Sequence, residues 1–225
     1  IIMEASSPVC TENCFSNVLF LPGLEASRLY NMSSGSENQL WEPNRNLDVE
    51  NLYLNTDGTS IDGDIYTRDI IKETNTPTPT GGVGQNIYKS FSNVMDQLVT
   101  DQKINDWGPY AYDWRQSVQD IVENGTKYQS ENVSLTDTLQ SLVDSAKNKS
   151  GKVTIIAHSN GGLVAKALLK KLQDDKTAGI NNLIDKVDVL ILVAVPEIGT
   201  ASAVPAILHG YNQQILGGWL MDKTH

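Results

Sequence analysis

The feature that most constrains the fold is the passage from Lys152-Val153-Thr154-Ile155-Ile156-Ala157 into His158-Ser159-Asn160-Gly161-Gly162. Apolar and β-branched residues on successive positions predict a strand covered on both faces, as in a parallel sheet flanked by helices. Beyond the turn, Leu163, Val164, Ala167, Leu168 and Leu172 fall on one helical stripe. Asn17-Val18-Leu19-Phe20-Leu21 predicts an earlier buried strand ended by Pro22-Gly23, and Val187 to Val195 a later one closed by Pro196 and Gly199. Between them Ile87, Phe91, Val94, Met95, Leu98 and Val99 predict one helix. Ser134 with Asp137, ahead of Leu135, Leu139, Leu142, Val143 and Ala146, predicts another, and Tyr110-Ala111-Tyr112 a strand. Alternating buried strands and amphipathic helices imply an α/β fold, a mostly parallel sheet with right-handed crossovers. Residues 31–84, rich in turn signals and poor in periodicity, are expected to form an irregular excursion outside that sheet.

A length of 225 residues suits one domain, so residues 1–225 are read as a single unit. With 17 Lys+Arg against 27 Asp+Glu the formal charge is -10, which lacks the basic footprint of a nucleic-acid binder. The longest apolar run, Val187 to Pro196, falls short of the roughly 20 residues of a membrane-spanning helix. The sequence begins at Ile1 with no basic segment before an apolar one, so a removed leader or an excised piece is expected. Cys10 and Cys14, spaced C-x3-C without a nearby histidine, suit a small disulfide loop better than a zinc site, with two free thiols as the alternative. The sequons at Asn31, Asn124, Asn132 and Asn148 are expected on surface loops.

Ala157-His158-Ser159-Asn160-Gly161 has the spacing of a nucleophile elbow. A serine must stand on a turn so sharp that its Oγ projects above the sheet, and the residues two before and two after it must be small. Ala157 and Gly161 meet that demand, and the following helix directs its N-terminal N–H groups toward charge developing near Ser159. Ser159 is therefore the candidate nucleophile. Asn160 N–H is one candidate oxyanion donor, and Leu24 N–H, after the Pro22-Gly23 turn, the second. His158 neighbours Ser159 on a turn that makes their side chains diverge, so it is expected as a wall residue and not as the base.

The run Leu21-Pro22-Gly23-Leu24-Glu25-Ala26-Ser27-Arg28-Leu29-Tyr30, the string Tyr112-Asp113-Trp114-Arg115, the elbow, and Pro196-Glu197-Ile198-Gly199-Thr200 occur in that order. Together they resemble the lecithin:cholesterol acyltransferase-like branch of the α/β hydrolases, bacterial members included. The resemblance implies an α/β-hydrolase fold, and a Ser, an Asp and a His in that chain order. It also implies hydrolysis or transfer of acyl groups from phospholipid-like esters, without metal or organic cofactor. Lipid or other acyl-ester substrates, a membrane or lipoprotein surface, and an extracellular or cell-surface location go with it. Tyr112-Asp113-Trp114-Arg115 is expected to order the loop beside the elbow through a local ion pair and packing. Only 25 residues follow Thr200, so the acid and base are expected beyond His225. The alternative within the chain is His209 oriented by Asp185, Asp188 or Asp222, since His225 is terminal. Two other functions stand beside this one: a deacylase of lipid-anchored surface molecules, and an inactive binding module on the same fold.

Overall fold

The computed structural model describes residues 14–43, 46–75 and 84–201. The first part contains β1 (Asn17–Leu21), β2 (Ser27–Ser33), β3 (Ser36–Trp41), α1 (Asn46–Glu50), β4 (Tyr66–Ile70) and α2 (Lys89–Thr100). The second contains β5 (Trp107–Pro109), α3 (Val118–Asn124), β6 (Thr126–Tyr128), β7 (Glu131–Val133) and α4 (Leu135–Asp144). It ends with β8 (Val153–His158), α5 (Asn160–Thr177), a 3-10 turn at Leu183–Lys186, and β9 (Val187–Val193).

Among the described residues four parallel strands form the main sheet in the order β5-β1-β8-β9. Both faces of its centre are covered, as the successive apolar and β-branched residues of β1 and β8 require. On one face Leu19, Leu21, Val153, Ile155 and Ala157 pack against Val164, Ala165, Leu168 and Leu172 of α5 and against Leu135, Leu139 and Val143 of α4. On the other, Phe20 and Ile156 meet Tyr88, Phe91 and Trp107. At the edge, Val189, Ile191 and Val193 of β9 remain 49%, 43% and 45% exposed, and the strand stops at Val193 because Ala194 turns to φ 50°. Ser134 caps α4 by accepting the Asp137 N–H, as its spacing predicts, whereas Ala146 lies past the helix end.

Three expectations need correction. The excursion is not irregular: β2, β3 and β4 form an antiparallel sheet, and β2 and β3 are joined at Ser34-Gly35, both with positive φ, the backbone of a tight hairpin. Its strands bury polar residues, so apolar alternation is weak: Asn31 is 8% exposed and donates to Asp62 at 2.6 Å, and Thr67 is fully buried. Tyr110–Tyr112 is not a strand; β5 ends at Pro109, and the buried segment after it bonds to Phe20 O, Tyr128 Oη and Ser27 Oγ. The third correction concerns the sequons: Asn124 and Asn132 are exposed, but Asn31 is buried in β2, and the half-buried Asn148 donates its amide to Leu142 O and Lys152 O.

Candidate active site

Ser159 lies between the last residue of β8 and the first of α5, with φ 52° and ψ -126°. A non-glycine residue occupies that region only where its surroundings hold it. Here the Ser159 N–H donates to Val193 O at 2.9 Å and the Ser159 carbonyl accepts from Gly162 N–H at 3.0 Å. The pairing of Leu21 with Ala157 carries the Pro22-Gly23 turn alongside His158 and Ser159. Close approach explains the small residues. A Cβ on Gly161 would strike the Pro22 carbonyl oxygen and lie 2.5 Å from the Leu21 oxygen, and one on Gly162 would overlap the Val195 side chain. On Gly23 it would lie 3.1 Å from both Ser159 Cβ and His158 Nδ1.

Two tyrosine hydroxyls hold the turn. Tyr112 donates to Pro22 O at 2.8 Å and accepts from the Asn160 side-chain amide at 3.3 Å. Gly23 N–H donates to the Tyr88 hydroxyl at 2.9 Å, which in turn lies 2.7 Å from His158 Nδ1. Burial pushes both phenols above their ordinary pKa and holds the His158 imidazole below its own. One residue on, Gly23 O accepts from Ala26 N–H at 3.3 Å. Neither Leu24 N–H nor Asn160 N–H has an acceptor among the described residues, and Ser159 Oγ makes no hydrogen bond there. The Leu24 side chain beside them is 55% exposed. The 18-residue α5 directs the positive end of its dipole at the same place.

The Tyr112-Asp113-Trp114-Arg115 string carries the local ion pair that its sequence predicts, while the turn itself is reached by the Tyr112 hydroxyl. Arg115 pairs with Asp113 through Nη2 at 2.6 Å and Nε at 2.9 Å, and its Nη1 reaches Leu52 O and Ser60 Oγ. Trp114 donates to Ser27 O at 3.1 Å, and Ser27 Oγ accepts the Tyr112 N–H. Sequence reasoning missed the hydroxyl contacts of Tyr112 and the whole role of Tyr88. After β9, Glu197 of Pro196-Glu197-Ile198-Gly199-Thr200 pairs with Lys166 of α5, which ties that turn to the elbow helix.

His158, the one histidine among the described residues, has its Nδ1 2.7 Å from the Tyr88 hydroxyl. Asp185 and Asp188 do not serve as acids at this end of the sheet. Val193 is the β9 residue beside His158, so Asp188, five residues earlier, is roughly 16 Å away along the strand. Asp185 precedes β9 and is paired with Lys176 at 2.5 Å. His209, Asp222, His225 and Cys10 lie outside the described residues.

A parallel sheet covered by helices, with a serine at positive φ between strand and helix, defines the class: an α/β-hydrolase fold. The chain matches the lecithin:cholesterol acyltransferase family over residues 79–223, and it belongs to that family. No curated protein sequence matches it. Among the described residues no helix is long and apolar enough to cross a membrane.

Proposed function

We propose that the protein is a serine hydrolase or acyltransferase of phospholipid-like acyl esters, with Ser159 as nucleophile. Family membership indicates acyltransferase or esterase chemistry on lipids. The observation that carries the residue-level reading is the Ser159 backbone, held at φ 52° with Gly23 packed on one side and α5 starting on the other. Ser159 Oγ attacks the acyl carbonyl, and the Leu24 and Asn160 N–H groups receive the oxyanion of the tetrahedral intermediate. Collapse expels the alcohol and leaves an acyl-serine, which water hydrolyses or a second alcohol intercepts. A serine hydroxyl needs a general base within about 2.6 to 3.2 Å. With His158 Nδ1 turned to Tyr88, that base comes from outside the described residues, where His209 with Asp222 is the pair in this sequence that substitution can test. We place the protein outside the cell or at its surface, acting at a membrane or lipoprotein surface, with Cys10 and Cys14 bridged.

The test is turnover of a phospholipid in mixed micelles by the full chain and by Ser159→Ala, with and without an alcohol acceptor. The variant is expected to lose at least about a thousandfold. The share of acyl groups found on the acceptor separates transferase from hydrolase. Turnover retained within about tenfold would place the nucleophile elsewhere.

A further inference from the structure

We propose that Tyr88 and His158 are positioning residues that set the oxyanion loop, Tyr88 by holding the Gly23 amide and His158 by holding the Tyr88 hydroxyl. This rests on the reading of Leu24 N–H as an oxyanion donor. The Pro22 carbonyl and the Gly23 N–H belong to one peptide group, and each of its ends is bound by a tyrosine hydroxyl, Tyr112 at 2.8 Å and Tyr88 at 2.9 Å. That fixes the plane of the group. The next group comprises the Gly23 carbonyl and the Leu24 N–H, and its carbonyl is taken by Ala26 N–H. In a trans peptide the N–H points away from the carbonyl, so Leu24 N–H is turned away from Ala26 without a bond of its own. With the first plane released, Gly23 could rotate and carry Leu24 N–H out of place, because glycine has the widest backbone freedom.

The hydrogens in the Tyr88 pair follow from counting. A phenol oxygen that accepts from Gly23 N–H has one proton left, and His158 Nδ1 at 2.7 Å is its acceptor. His158 is then neutral, with its proton on Nε2, as its lowered basicity under burial allows. Were Nδ1 protonated instead, two donors would converge on the hydroxyl and its own proton would be left unpaired in a buried place. Phe20, edge-on to the Tyr88 ring at 4.9 Å, and the Lys72 carbonyl, which accepts the Tyr88 N–H at 3.0 Å, fix the phenol from the other sides.

The experiment uses the full chain with Tyr88→Phe, His158→Leu, His158→Asn and Ser159→Ala. Asn at 158 offers a carbonyl oxygen near the position of Nδ1, so it keeps an acceptor for Tyr88 that Leu lacks. Tyr88→Phe and His158→Leu are expected to lower kcat at least about tenfold with KM within about twofold, since the loop contributes to the transition state. His158→Asn should recover to within about threefold of the parent. Amide hydrogen exchange over residues 21–24 should speed up in Tyr88→Phe, and the nitrogen shifts of His158 in the parent should show a protonated Nε2. Unchanged kcat and exchange in Tyr88→Phe, equal loss in both His158 variants, or a proton on Nδ1 would each overturn the proposal. An active Ser159→Ala would sink the nucleophile reading instead, and the exchange and nitrogen measurements would still decide the clamp.

Discussion

Tyr112 and Tyr88 grip opposite ends of the Pro22–Gly23 peptide group, one at its carbonyl and the other at its N–H. They reach it from different layers of the fold. Tyr112 follows β5 and packs in the core beneath α5, whereas Tyr88 stands at the head of α2 on the other face of the sheet, against Phe20. The turn beside Ser159 is therefore fixed by both layers at once.

Tyr112→Phe tests the first grip. The ring stays and only the hydroxyl goes, so the loss is the Pro22 O bond and the partner of the Asn160 amide. Leaving a buried carbonyl unpaired costs about 1–3 kcal/mol, and urea unfolding should register it together with a fall in kcat. A variant as stable as the parent would mean that Pro22 O finds another donor.

Gly161→Ala tests the approach of the loop to the elbow. Even one methyl would strike the Pro22 and Leu21 carbonyl oxygens, both backbone atoms that cannot rotate aside. We expect a loss of about 1–3 kcal/mol in thermal unfolding, and a larger loss with Val. An unchanged melting temperature with full activity would contradict the elbow as described.

Stability should depend on pH through His158. Burial holds its folded pKa below the ordinary 6.5, so as pH falls through that window the unfolded chain takes up a proton that the folded one refuses. Stability contributed by this group is thus full above 6.5, declines between 6.5 and the depressed folded value, and declines no further below it. Melting curves across that window should flatten in His158→Asn. Identical slopes for parent and variant would show that His158 titrates alike in both states.

Much of this was readable from the sequence, because each legible element carries its signal locally. The successive apolar and β-branched residues of β1 and β8, the small residues around Ser159 and the Ser134 cap depend on neighbours in the chain. What escaped depends on partners far away. Helix α2 buries Ser92 and Met95 and leaves Val94 56% exposed, so its inner face begins with Tyr88 and not with Ile87. Apolar periodicity scores Ile87 and passes over Tyr88, whose role is set by Gly23 and His158, 65 and 70 residues away. The antiparallel sheet was hidden for a related reason: Asn31 and Thr67 are buried in it, a pattern that reads as loop. Asp185 and Asp188 follow the elbow closely, but parallel strands put the start of β9 at the far end of the sheet from Ser159.

The most direct test of the account is mass spectrometry of the full chain after reaction with a fluorophosphonate, whose phosphorus is attacked by an activated serine Oγ with loss of fluoride. The adduct is predicted on the peptide containing Ser159, at one per chain, and absent from Ser159→Ala. An unmodified Ser159, or an adduct on a different serine, would contradict it.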